Sequence, residues 1–130
     1  MSHKQHIAIV DDDDSVREAA TNLFRSMGFS AVAFASADQF LRSDACATAS
    51  CLVLDVQMPG MDGLRLQRHL ATAGRQIPIV FITAYPDERV RTQALASGAV
   101  CFLTKPFSEE ELLDGLQSAL QPDGDARWPS

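Results

Sequence analysis

The sequence predicts an α/β fold, a doubly wound, five-stranded parallel sheet with helices on both faces, and three observations predict it. Short apolar runs rich in β-branched residues alternate with amphipathic stretches from the first residues to about Leu120, the mark of repeated βαβ units. Several of these runs are apolar at every position, as strands covered on both faces must be. The stretches between them carry helix-start and helix-stop signals.

The first run is Ile7-Ala8-Ile9-Val10. A capping box, Ser15-x-x-Glu18, is expected to open the helix that follows, since a hydroxyl and an acid three residues apart satisfy orphan N–H groups reciprocally. That helix shows Val16, Ala20, Leu23, Phe24 and Met27 on one face and stops at Gly28, where a left-handed residue closes a helix. The second run, Ala31-Val32-Ala33-Phe34, leads into Ala35-Ser36, which offers no chemistry and suits an edge strand; Ser36-x-x-Gln39 is a second box. Cys51-Leu52-Val53-Leu54 is the third run and Ile79-Val80-Phe81-Ile82 the fourth. Leu64 to Leu70 and Val90 to Ala96 carry weaker helical stripes, the latter followed by Gly98. The fifth run, Val100-Cys101-Phe102-Leu103, precedes the box Ser108-x-x-Glu111 and a helix with Leu112, Leu113, Leu116 and Leu120 on its apolar face. Amphipathic stripes of this kind face a core far more often than a partner. After Leu120 the residues Gln121 to Ser130 lose all periodicity and contain two prolines, the pattern of a loose tail or linker stub.

A chain of 130 residues accommodates one domain with its own core, and not two. Apolar residues at 46% and charged residues at 22% exclude a disordered or fibrous chain. Seventeen acids against eleven Lys and Arg, a net charge of -6, argue against a broad cationic face for nucleic acid or an acidic membrane, so proteins and small ions are the expected partners. Cys46, Cys51 and Cys101 form no Cys-x-x-Cys pair and read as buried thiols in a reducing compartment. The N-terminus carries four apolar residues before its acids, too few for a signal peptide, and no run reaches membrane-spanning length. A cytoplasmic protein is expected.

In an open parallel sheet a ligand site lies beyond the carboxyl ends of the strands. Asp11-Asp12-Asp13-Asp14 follows the first run, Asp55 the third, Thr83 the fourth and Thr104-Lys105-Pro106 the fifth. Asp13 and Asp14 suit a solvated turn at a helix N-terminus. Asp11, Asp12 and Asp55 abut buried strands, and two carboxylates ~4 Å apart repel by about 4 kcal/mol at an effective dielectric of ~20, so a cation or a proton must intervene. A few stiffly held oxygen ligands suit Mg²⁺ with retained waters. A metal-held carboxylate facing an ammonium and a hydroxyl is equipment for phosphoryl transfer onto a carboxylate oxygen, with Lys105 and Thr83 contacting the phosphoryl oxygens.

The segments Ile9-Val10-Asp11-Asp12, Leu54-Asp55-Val56-Gln57-Met58-Pro59-Gly60-Met61-Asp62-Gly63, Ile82-Thr83-Ala84 and Lys105-Pro106-Phe107 together resemble the receiver domain of two-component response regulators. The likeness spans about residues 5 to 120, leaving 121–130 as the tail, and is strongest to receivers joined to LuxR-type helix-turn-helix output domains. It implies a flavodoxin-like sheet of order 2-1-3-4-5, with Asp55 as phosphoacceptor. It also implies Mg²⁺ held by Asp11, Asp12, Asp55 and the Gln57 carbonyl, Thr83 and Lys105 as phosphate contacts, and a cis Lys105–Pro106 bond. A histidine kinase or small phosphodonor would supply the phosphoryl group. The response would be a shifted surface formed by the Val90–Ala96 helix, the fifth strand and the last helix, read out by homodimerisation or by an output domain or partner protein. Phe102 occupies the aromatic switch position, where many members carry Tyr; its ring can rotate inward but lacks the hydroxyl. Gln57 and Tyr85 stand at positions that tune dephosphorylation.

Three other functions fit the sequence less well. Asp11-x-Asp13 weakly matches an aspartyl-phosphate phosphatase of haloacid-dehalogenase type, which needs a longer chain and a later acidic pair. A histidine phosphotransfer module on His69 conflicts with five strand runs. An inert receiver-like interaction module would not need the full set of polar residues at the strand ends. The expected protein is therefore a signalling domain that catalyses only its own phosphorylation and dephosphorylation.

Overall fold

The computed structural model describes residues 5–120. In chain order these form β1 (His6–Val10), α1 (Asp14–Ser26), β2 (Ser30–Phe34), α2 (Ala37–Leu41), α3 (Ala45–Thr48), β3 (Cys51–Asp55), α4 (Gly63–Thr72), β4 (Ile79–Thr83), α5 (Glu88–Ala96), β5 (Cys101–Thr104) and α6 (Glu109–Leu120). All strand pairings are parallel, and the sheet order is β2-β1-β3-β4-β5. The doubly wound, flavodoxin-like sheet is therefore as expected, with the second strand at an edge.

Alternation along the strands divides the core into two layers. Val10, Leu52, Leu54 and Phe81 pack with Phe40 of α2, Leu66 and Leu70 of α4 and Ala94 of α5. Ile7, Ile9, Val53, Val80 and Ile82 pack on the other face with Ala20 and Phe24 of α1 and Leu112 and Leu116 of α6. β3 and β4 are buried at every position, which explains why their sequence is apolar without alternation. Each extends one residue past its apolar run, taking in Asp55 and Thr83, because backbone pairing continues where the side chain turns polar. The fifth strand begins at Cys101 rather than Val100.

Two of the three capping boxes form. Ser108 N–H donates to Glu111 Oε1 (2.8 Å) while Glu111 N–H donates to Ser108 Oγ (3.0 Å). Ser36 Oγ accepts from Gln39 N–H, and Gln39 Oε1 reaches back to Ala35 N–H. The Ser15 box does not form: Asp13 is the cap of α1, its Oδ1 accepting Ser15 N–H at 2.8 Å. A carboxylate at that position also favours the positive end of the helix dipole. Gly28 takes φ +94°, and Phe29 N–H and Gly28 N–H close α1 on the Phe24 and Arg25 carbonyls. The short α3 has no counterpart in the sequence reading. Of the cysteines only Cys51 is fully buried, its thiol pushed up to about 12 chiefly by that burial, whereas Cys46 and Cys101 are half-buried. Residues 121–130, expected to be a tail, lie outside the described residues.

Candidate functional site

The chain leaves β1 toward β2 and leaves β3 toward β4, so a crevice opens between the carboxyl ends of β1 and β3. Asp11 and Asp55 stand at those two ends. Asp11 is fully buried and anchored through its backbone: its N–H donates to the Phe34 carbonyl (3.1 Å), and its own carbonyl accepts from Arg17 Nη1 (2.7 Å). Its Oδ1 accepts Asp13 N–H at 2.8 Å. Asp55 is 3% exposed, and its Oδ1 accepts Gln57 N–H at 3.2 Å. Behind it α4 begins so close that a Cβ on Gly63 would lie 2.4 Å from the Asp55 carbonyl oxygen; only glycine lets the helix start there.

Lys105 reaches across from the end of β5. Its Nζ lies 2.8 Å from Asp11 Oδ2 and 3.3 Å from Asp55 Oδ2, so one ammonium is shared by two buried carboxylates. One positive charge does not offset two buried negative ones. Burial first, then the charge of Asp11, raises Asp55 to about 6 from an ordinary 3.8, against the opposing pull of Lys105 and the Gln57 N–H. Burial lowers Lys105, but hydrogen bonding and charge from Asp11 and Asp55 outweigh it and hold the ammonium above its ordinary value.

Asp12 is exposed, and one carboxylate oxygen from each of Asp11, Asp12 and Asp55 lies within 4.8 Å of the others. Among the described residues the buried Asp11 Oδ2 has the Lys105 ammonium at 2.8 Å and no other polar partner. Three hard oxygen donors, one of them underused, with a net negative charge, fit a small divalent cation such as Mg²⁺.

Thr83 is fully buried at the end of β4. Its hydroxyl donates to Gln57 Oε1 (2.6 Å) and accepts Tyr85 N–H (3.0 Å), and the Lys105 N–H donates to its carbonyl at 2.7 Å. The structure thus gathers Asp11, Asp12, Asp55, Thr83, Gln57 and Lys105 at one rim. Phe102 sits elsewhere, on β5 opposite Phe81, with ring centroids 6.2 Å apart. The Lys105–Pro106 peptide is cis, as the resemblance implied.

The contacts of three contributors escaped the sequence reading. Arg17 fixes the Asp11 backbone; an Arg six residues after an acid carries no pattern that announces this. Asp13 stands at the α1 N-terminus as expected, but as the cap in place of Ser15, and it lies outside the acidic cluster, without the Asp11-x-Asp13 pairing of the phosphatase rival. The Gln57 side chain, at a position expected to tune dephosphorylation, pairs with Thr83. His69 is an exposed residue of α4 in an α/β fold, which disposes of the helical phosphotransfer module.

Residues 7–117 match the response regulator receiver domain family. Nodulation protein W of Bradyrhizobium diazoefficiens is 47% identical over 122 residues, covering 94% of this chain and 54% of that protein. Response regulator protein TodT of Pseudomonas putida is 48% identical over 115 residues, 88% of this chain and 51% of that protein. Among solved structures, response regulator StyR superposes with a TM-score of 0.84 at 46% identity, covering 92% of this chain and 60% of that one. The structure of FixJ-N superposes at 0.80 and 30% identity, covering 92% and 95%. The chain spans about half the length of the curated relatives it matches.

Proposed function

Because this chain belongs to the receiver domains of two-component response regulators, a family of signalling domains, we propose that it carries its signal as a phosphoryl group on Asp55. The donor is a histidine kinase or a small phosphodonor. The observation that supports this best is the buried Asp55 carboxylate at the end of β3, sharing the Lys105 ammonium with a second buried acid.

An Asp55 oxygen attacks phosphorus, the bond from phosphorus to the donor's imidazole nitrogen or leaving oxygen breaks, and the leaving group departs with its electron pair. The product is an acyl phosphate. Without a metal the Asp55 carboxyl is raised to about 6 and is still mostly an anion at neutral pH. Asp11, Asp12, Asp55 and the Gln57 carbonyl would hold Mg²⁺, which when bound supplies positive charge for the phosphoryl oxygens. Lys105 pairs with one of those oxygens, and Thr83 donates its hydroxyl proton to another.

The receiver is assigned to residues 5–120 and the tail or linker to 121–130. It acts in the cytoplasm and catalyses nothing beyond its own phosphorylation and dephosphorylation. Transcription is regulated through an output domain or partner protein, and this acidic chain makes no direct contact with nucleic acid. Phosphorylation shifts the surface of α5, β5 and α6, which Thr83 and Phe102 flank, and the read-out is homodimerisation or partner binding.

Intact-mass measurement after treatment with acetyl phosphate and Mg²⁺ tests the assignment. The protein should gain one phosphoryl group and the Asp55→Asn variant none; equal labelling of the two overturns it. Sedimentation with and without beryllofluoride tests the read-out. An unchanged mass together with unchanged backbone NMR signals from Val90 to Phe107 counts against the shifted surface.

A further inference from the structure

Thr83 and Gln57 are 26 residues apart in sequence, yet their side chains meet in the tightest uncharged hydrogen bond at the site, 2.6 Å from Thr83 Oγ1 to Gln57 Oε1. A threonine hydroxyl has one proton. While that proton is given to Gln57 it cannot be given to a phosphoryl oxygen. Thr83 is fully buried, so its proton cannot turn to bulk water; it needs either the amide or an acceptor arriving at Asp55. Gln57 is exposed, and its amide oxygen loses little by exchanging Thr83 for water.

The same residue also touches the acceptor carboxylate. Gln57 N–H donates to Asp55 Oδ1 at 3.2 Å, so its backbone is tied to the atoms that would be modified while its side chain holds the hydroxyl that would respond. On the far side Thr83 is joined to β5: its carbonyl accepts from Lys105, and it lies beside Thr104, two residues from Phe102.

Building on the assignment of Asp55 as phosphoacceptor, we propose that the Gln57 side chain is a latch that holds Thr83 in the unmodified state and must release it before the switch can turn. The latch is a positioning device. It opposes activation by the strength of one neutral hydrogen bond and shifts the balance between two arrangements of one hydroxyl.

Beryllofluoride with Mg²⁺, which mimics the phosphoryl group and is not hydrolysed, separates this role from any effect on the lifetime of the acyl phosphate. Gln57→Met keeps length and removes the amide acceptor, and should bind beryllofluoride about two- to tenfold more tightly, the span of one neutral hydrogen bond. In a Thr83→Val background the same change should alter affinity by less than the single-variant ratio, towards none, because the partner hydroxyl is gone. In unliganded Gln57→Met the Thr83 methyl NMR signal should move toward its position in the beryllofluoride-bound parent protein, which tests the latch even if Thr83→Val does not fold. A parent protein that takes up no beryllofluoride overturns the phosphoacceptor reading and the latch with it. A parent that binds while Gln57→Met binds no more tightly, tightens equally in both backgrounds, or leaves the Thr83 methyl in place overturns the latch alone.

Discussion

β3 and β5 flank the same strand, β4, yet they are built differently. Every residue of β3 is buried, with neighbours on both sides and helices above and below, whereas β5 is an edge strand, half-buried for three residues and exposed at its last. The carboxylate proposed to take the phosphoryl group sits on the first, and the aromatic residue of the proposed switch sits on the second. A carboxylate that must meet a phosphorus atom in one geometry gains from a frame that cannot shift, since close-packed interiors resist displacement. A surface that must change for a partner gains from an edge with less to lose. β4 joins the two through Phe81, which packs against Phe102, and through Thr83.

The rigidity of β3 depends most directly on Gly63. A Cβ there would stand 2.4 Å from the Asp55 carbonyl oxygen and 3.0 Å from the Phe81 ring, so backbone must move and α4 must back away from β3. Gly63→Ala should lower stability by about 3 kcal/mol, the upper part of the usual range for overpacking, and slow phosphorylation of Asp55 as well. Urea unfolding and labelling with acetyl phosphate check both. Alanine accepted at no cost means that β3 is not the rigid frame.

Next in size is the electrostatic cost of placing Asp55 in that frame. Its folded value of about 6 lies above the ordinary 3.8, so the folded state holds a proton that the unfolded state has released. The stabilising contribution is complete below pH ~4 and is lost as pH rises through ~6. A shift of this size, in which the opposing pull of Lys105 is already included, corresponds to about 3 kcal/mol. In EDTA, Asp55→Asn should therefore match the parent protein near pH 4 and exceed it increasingly until about pH 7. Thermal melts across that range decide it; a constant difference at all pH values means burial does not perturb this carboxyl.

Which acids matter was legible in the sequence, but how they share the work was not. Like charges abutting apolar runs announced Asp11, Asp12 and Asp55, because few folds bring such groups together without a use for them. Neighbouring residues leave a strand on opposite sides, however, and nothing in Asp11-Asp12 says that the first is sealed inside and the second exposed. The five strands were visible because a short, β-branched apolar run that ends at polar or turn residues suits a strand and is too short for a buried helix. The four residues of α3, Ala-Cys-Ala-Thr, are too few to show a period. Asp13 and Ser15 are both good caps, and only the path of the chain chooses between them. The Gln57–Thr83 pair spans 26 residues and no local pattern signals it.

Asp12 belongs to the cluster and yet faces solvent. A cation that binds only the assembled site stabilises the fold by mass action, about 1.4 kcal/mol at ten times its Kd. Asp12→Asn removes one charge and one hard ligand, so the variant should be more stable than the parent in EDTA and should no longer gain from Mg²⁺. Melts with EDTA and with Mg²⁺ show both effects at once. A less stable variant in EDTA, or an undiminished gain from Mg²⁺, means these carboxylates are not one metal cluster.

The smallest expected effect lies just beyond β5, at the start of α6. Ser108 and Glu111 bond reciprocally in an exposed capping box just beyond β5, outside the carboxylate cluster. Ser108→Ala removes the hydroxyl acceptor and should cost about 1 kcal/mol, the usual value of a helix cap. The loss should appear as faster amide exchange in the first turn of α6, since Glu111 N–H goes back to solvent while the helix beyond it is still packed through Leu112 and Leu116. Labelling of Asp55 should proceed at the parent rate, because β3, α4 and Lys105 keep their contacts. If fraying the first turn of α6 slows labelling as much as Gly63→Ala does, the edge is not separable from the frame, and the division of labour between β3 and β5 fails.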